Sequence, residues 1–244
     1  PCPALTTIRI SNHIEDFLSS EVIGNNKLLI AVMDGCSMGT DSYFISTLIG
    51  KILRKIAKEN HYIEFIEKKE WSLDKLLRNS SKQLFENLKQ LKNQLNLQKD
   101  EILSTLILGL VNTQDKMARI VTIGDGIVCH DGNIIEYEQD NKPDYLGYHL
   151  NQDFEDWFDS QKQKISINQF NDLSISTDGI FTFSKFNLNQ YEETTEQELL
   201  NYFLIDKEGS EHFKMLNQKL IKVEKKWGLK PNDDFTMIRI MANE

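Results

Sequence analysis

At 244 residues the chain is long enough for one large domain that buries a sizeable core without disulfide or metal staples. Its formal net charge of -9 at pH 7 argues against a nucleic-acid partner, since binding of a phosphate backbone rests on clustered Lys and Arg. Cys2, Cys36 and Cys129 show neither paired nor metal-type spacing and fit a reducing, cytoplasmic compartment. The apolar runs are short and the opening "PCPALTTIRI" lacks a charged start and an apolar h-region, so neither a signal peptide nor a membrane span is read. The chain starts on Pro1 rather than Met, and further residues are expected upstream.

In chain order, the first clear element is the aliphatic run at residues 28–33, a buried strand that ends on Asp34-Gly35. Thr40 and Asp41 are plausible caps for a helix whose apolar face is Ile45, Leu48, Ile49, Ile52, Leu53 and Ile56. A second helix carries Leu73, Leu76, Leu77, Leu84, Leu88, Leu91 and Leu95. Residues 102–112 read as a strand, and "MARIVTIGDGIVCHDGNIIEYE" reads as a tight meander with Asp131-Gly132 as a two-residue hairpin turn. A loop-rich stretch at about 142–164 holds Pro143 and Gly147 and suits a surface flap. Residues 172–177 form the next strand. A late helix carries Phe213, Leu216, Leu220, Val223 and Trp227 and closes at Gly228, before a final strand at 235–241. Paired helices between blocks of strands, without regular βαβ alternation, indicate a single α+β domain over 1–244 with mostly antiparallel sheets.

No phosphate loop, H-E-x-x-H or G-x-S-x-G elbow is present, and the five histidines are scattered without ligand spacing. What remains is a set of carboxylates at the tips of apolar strands: Asp34 after "LLIAVM", Asp125 after "ARIVTIG", Asp178 after "LSIST", and Asp233 and Asp234 before "FTMIRI". Glu15 and Asp16 in "NHIEDF" join them. Carboxylates that converge in an interior raise one another's pKa unless cations neutralise them. Oxygen-only donors suit Mg²⁺ or Mn²⁺, and two such ions can activate a water for phosphoester hydrolysis. For Asp125 alone, an ordinary Asp-Gly turn and a metal ligand are equally supported.

The ordered set "VMDGCSMG", "STLILGLV", "TIGDG", "ISTDGIF" and "NDDFTMIRI" resembles the metal-dependent serine/threonine protein phosphatases of type 2C, as a divergent, bacterial-like member, over nearly the whole chain. The resemblance implies two packed antiparallel β-sheets flanked by pairs of helices, an αββα sandwich. It implies that Asp34 bridges two Mg²⁺ or Mn²⁺ ions with help from the Gly35 carbonyl, and that Asp178 and Asp233 complete one shell. Glu15 would belong to the second ion with Asp16 behind it, Asp125 to a third, weaker ion, and Asp234 stands where Asn is frequent. The implied substrate is a phosphorylated protein. Three departures stand out. Cys36, Ser37 and Met38 replace a frequent His-Gly-Gly, which removes the His expected on the leaving-group side and puts Cys36 there. Arg9, the candidate phosphate grip, sits slightly upstream of the usual spacing. The flap-like segment is short. The alternative reading is a non-catalytic phosphatase-like module that binds or regulates a partner.

Overall fold

The computed structural model describes residues 4–10, 15–36, 42–68, 70–138, 144–186 and 193–242. Strand β1 (Ala4–Ile10) precedes a hairpin of β2 (Phe17–Gly24) and β3 (Lys27–Met33). Helices α1 (Ser42–Glu67) and α2 (Leu73–Leu95) follow. Next come β4 (Leu106–Asn112), β5 (Met117–Ile123), β6 (Gly126–His130) and β7 (Asn133–Tyr137). Short helices α3 (Leu146–His149) and α4 (Phe154–Ser160) lead into β8 (Lys164–Ile167) and β9 (Asp172–Ser176). The chain ends with β10 (Phe183–Lys185), α5 (Glu196–Leu204), α6 (Met215–Lys222), β11 (Leu229–Pro231) and β12 (Phe235–Met241).

Two five-stranded antiparallel sheets, in the orders β1-β12-β9-β6-β7 and β2-β3-β4-β5-β8, pack face to face, and β10 pairs with β11 outside them. The unbroken aliphatic run of β3 follows from burial on both faces. Ile30 and Val32 meet Leu173, Ile175, Ile238 and Ile240 of the other sheet, while Leu29, Ala31 and Met33 meet α1 and α2. The far face of the first sheet packs Ile8, Ile127 and Met237 under α5 and α6. This is the αββα order of layers expected from the sequence. Among the described residues no helix is long and apolar enough to cross a membrane.

Most of the helical stripes hold: Ile45, Ile49, Leu53 and Ile56, and Leu76, Leu84 and Leu88, are buried, but Leu95, at the end of the second stripe, is exposed. Ser72 caps α2 by accepting the Lys75 N–H, and the left-handed Asn96 ends it. The expected caps of α1, Thr40 and Asp41, lie outside the described residues. Five points need correction. Strands β1 and β2 were not legible, because "ALTTIRI" and "FLSSEVIG" mix Thr, Ser, Arg and Glu into their apolar pattern. The expected strand at 102–112 opens with a 3₁₀ turn at Asp100–Ile102, so its ladder starts only at Leu106. The meander is no single sheet: β5 pairs with β4 and β8, whereas β6 pairs with β7 and β9, so Gly124-Asp125 is a crossing between sheets. In the loop-rich stretch, α3 and α4 fold against α2, where Phe154 and Trp157 pack on Phe85 with ring centroids 5.3 and 4.4 Å away; residues 142 and 143 lie outside the described set. The late helix begins at Met215, not Phe213, which is 78% exposed.

Arg239, in β12, is the largest side chain that is fully buried. Its Nε and Nη2 donate to the two Asp172 oxygens at 2.9 and 2.5 Å, and the remaining N–H groups donate to the carbonyls of Phe203, Ile205 and Asp206. Buried Lys219 donates to the carbonyls of Tyr202 and Asp206. Two cations thus satisfy the orphan carbonyls at the negative end of α5. Arg239→Met should lower stability by about 3–5 kcal/mol in urea unfolding, because Asp172 is left buried and unpaired. Adding Asp172→Asn should cost less than the sum of the single changes.

Candidate functional site

The inward rows of the sandwich place the acids. Alternation along β3 puts Ile30 and Val32 between the sheets, and Asp34 continues that row past the end of the strand. Asp16 stands before Phe17 and Leu18 on β2 in the same way, and Asp234 and Thr236 precede the inward Ile238 on β12. With Thr177 continuing the Leu173 and Ile175 row of β9, four strand ends deliver polar groups to one end of an apolar interior.

Their contacts are specific. The Asp234 carboxylate accepts the backbone N–H groups of Glu15 at 2.6 Å and Asp16 at 3.1 Å, fixing that segment against β12. Thr177 donates to Asp16 Oδ2 at 2.7 Å and accepts the Thr236 N–H at 3.1 Å. Asp16 Oδ1 is buried and receives no donor, and the side chain beside it is that of Asp34. Gly35 donates its N–H to the Glu15 carbonyl at 3.3 Å. Cys36 N–H to Leu103 O, at 3.0 Å, and Thr105 N–H to Asp34 O, at 2.9 Å, flank the Gly35–Ser104 bridge without using the Gly35 carbonyl.

After Asp178 the chain makes a 3₁₀ turn (Asp178–Phe181). A Cβ on Gly179 would stand 1.8 Å from the Asp234 carbonyl oxygen, so the glycine of this Asp-Gly pair is required by close approach of two backbones. Asp233, at the exposed mouth, accepts the Asp234 N–H at 2.8 Å and donates its own to Thr182 Oγ1 at 3.2 Å. At Asp125 the positive φ of Gly124 (91°) and Gly126 (131°) gives the glycines on both sides their reason.

Burial and mutual repulsion shift these carboxyls together. Burial first, then the charges of Asp16, Asp178 and Asp233, holds Asp34 well above the usual carboxylate range. Asp178 is pushed up to about 7 by burial and by Asp125, Asp16 and Asp233, and Asp16 to about 6, chiefly by burial. Burial also raises Asp125.

Structure therefore brings together Asp16, Asp34, Asp125, Asp178, Asp233 and Asp234, with the Glu15 backbone tied to Asp234 and Gly35. The Asp16 carboxyl lies against that of Asp34. Arg9 is exposed, with its guanidinium over the Phe17 ring, 5.1 Å from the centroid. Ser37 and Met38 lie outside the described residues. Two residues were missed. Thr177 was detectable as the residue before Asp178 on an inward row. Tyr145, half-buried, has its hydroxyl beside the Cys36 side chain, and burial and that neighbour push its phenol up; nothing in its local sequence signals this. Among the described residues, no group of three or more His, Cys, Asp or Glu side chains could hold a metal ion as they stand.

The αββα sandwich thus carries its acids gathered at one end. The family model for protein phosphatase 2C matches residues 7–221, and the chain belongs to that family. Among solved structures it is similar to the PP2C phosphatase domain of SpoIIE from Bacillus subtilis, with a fragment of its regulatory domain. The identity is 16% and the TM-score 0.61, covering 98% of this chain and 62% of that one. It is also similar to RsbX in complex with magnesium (13%, TM-score 0.55, 98% and 94% covered) and to the phosphatase Stp1 from Staphylococcus aureus (14%, TM-score 0.56, 100% and 96% covered). At these identities the likeness concerns the fold. No curated protein matches the sequence.

Raised carboxyl pKa values mean that the folded state binds protons the unfolded state does not, so without metal stability should fall as pH rises. For Asp178 the window runs from its ordinary 3.8 to about 7. Thermal melts in EDTA should show a higher melting temperature at pH 5.5 than at pH 8, and Asp178→Asn should flatten this slope.

Proposed function

We propose that the chain is a Mg²⁺- or Mn²⁺-dependent phosphatase that hydrolyses phosphoserine or phosphothreonine esters on a protein. The observation that carries this reading is the Asp16–Asp34 contact: two buried carboxyls lie within hydrogen-bonding reach of one another, which calls for a proton or a cation between them. Oxygen-only donors suit a hard divalent ion, and the family's phosphatases are metal-dependent.

In this reading Asp34 would help hold two ions, with the Gly35 carbonyl, unused by the neighbouring bridge, available to one of them. Asp178 and Asp233 would hold the first ion, Glu15 the second, and Asp125 a third, weaker one. Asp16 orients Asp34, and Asp234 sets the Glu15-Asp16 backbone. When bound, the ions supply an activated water and neutralise phosphoryl oxygens. Arg9 is available as the phosphate grip: among the described residues its guanidinium makes no hydrogen bond or ion pair, and Phe17 orients it.

The second reading, a non-catalytic module of the same fold, draws on the open arrangement of the acids and on Cys36 in place of His. Hydrolysis of p-nitrophenyl phosphate with Mn²⁺, Mg²⁺ or EDTA separates the two. Manganese-dependent turnover is expected, abolished by Asp34→Asn and by Asp178→Asn; ion binding without turnover would favour the module. Asp125→Asn should raise the metal concentration for half-maximal rate while the melting temperature barely moves. Superimposable titrations of Asp125→Asn and wild type would return Asp125 to a purely structural turn.

A further inference from the structure

Residues 144–150 lie against the same short stretch of chain that holds the Asp34 loop. The Leu103 carbonyl accepts the Cys36 N–H at 3.0 Å, and the next carbonyl, that of Ser104, accepts the Leu146 N–H at 2.9 Å. Gly147 is pressed onto this stretch so closely that a Cβ would stand 2.4 Å from the Ile102 carbonyl oxygen. On the other side the Asp144 carbonyl faces Gly124, where a Cβ would come within 2.8 Å. His149 Nε2 meets both Asp144 oxygens at 2.7 and 2.8 Å and closes the turn on itself. Tyr145 is thereby fixed in extended backbone, and its ring stands edge-on to Tyr148 with centroids 5.6 Å apart. Its hydroxyl lies beside the Cys36 side chain and within the field of Asp125 and Asp34.

We propose that Tyr145 is a substrate-contacting residue of this site, whose hydroxyl donates a hydrogen bond to the leaving-group oxygen of the phosphoester, with the Cys36 thiol as the adjoining wall. The inference rests on the phosphatase reading above. Ionised carboxylates only accept hydrogen bonds and a thiol is a weak donor, so among the described side chains beside Cys36 the phenol is the strong neutral donor. In hydrolysis the water oxygen bonds to phosphorus and the ester P–O bond breaks with its electron pair on the leaving oxygen. That oxygen takes the proton released by the water. Tyr145 keeps its own proton and stabilises the developing charge.

The test compares wild type with Tyr145→Phe, which keeps the ring, on two esters in excess Mn²⁺: phenyl phosphate, with a strongly basic leaving group, and p-nitrophenyl phosphate, with a weakly basic one. The variant should lose about tenfold or more in kcat/KM on phenyl phosphate and less than about threefold on p-nitrophenyl phosphate. The loss should fall mainly in kcat, with an unchanged melting temperature. Iodoacetamide labelling of Cys36, followed by mass spectrometry, should be faster in the variant. Equal losses on both esters, or no loss on either, would overturn the role of Tyr145 while leaving the phosphatase reading intact. Unchanged labelling would remove the Tyr145–Cys36 contact and the role with it. A wild type that hydrolyses neither ester would overturn the phosphatase reading itself.

Discussion

Repulsion among carboxyl groups, held in place by an apolar sandwich, is the constraint on which the rest of this structure depends. Deprotonating Asp178 in the folded chain costs about 4 kcal/mol more than in water, the equivalent of a shift from 3.8 to about 7. That is comparable with the whole stability of many domains. The opposing force is the contact between the sheets, where Ile30, Val32, Ile107, Ile175 and Ile238 are excluded from water. The acids stay together because separating them would open that interface.

Inside this constraint each acid has an anchor of its own. Asp234 spends its carboxylate on two backbone N–H groups, so it acts on the site through the Glu15-Asp16 segment. Thr177 links β12 to Asp16 through one hydroxyl. Gly179 lets the turn after Asp178 touch the backbone at Asp234. Such anchors keep like charges at fixed positions in the absence of a counterion, which is the preorganisation that electrostatic catalysis needs.

The stretch 102–105 serves both halves of the candidate site. Antiparallel bonds to it shape the loop after Asp34, and the turn carrying Tyr145 docks on its Ser104 carbonyl. A segment that reads as a loop thus packs beside the acids. Away from the site, Arg239 and Lys219 hold the end of α5 against β9 and β12, so the helical layer cannot shift relative to the sheet that carries Asp178 and Asp234.

By itself the sequence determined the fold class, the two long helices, the β3 and β12 strands and the acids at their tips. Period-3.6 stripes such as Ile45 to Ile56 and unbroken aliphatic runs such as "LLIAVM" are local consequences of burial and survive without tertiary knowledge. It also marked Asp34, Asp125 and Asp178, since an acid next to glycine after a core strand is a local pattern. Tertiary structure alone decided the rest. Whether Gly124-Asp125 turns within a sheet or crosses between sheets depends on which strands pair with β5 and β6, and "TIGDG" is compatible with both. Strands β1 and β2 exist because β12 and β3 supply their partners, with little periodicity of their own. The meeting of Asp16 with Asp34, and of Tyr145 with Cys36, joins residues distant along the chain, and contacts of that kind have no local signature.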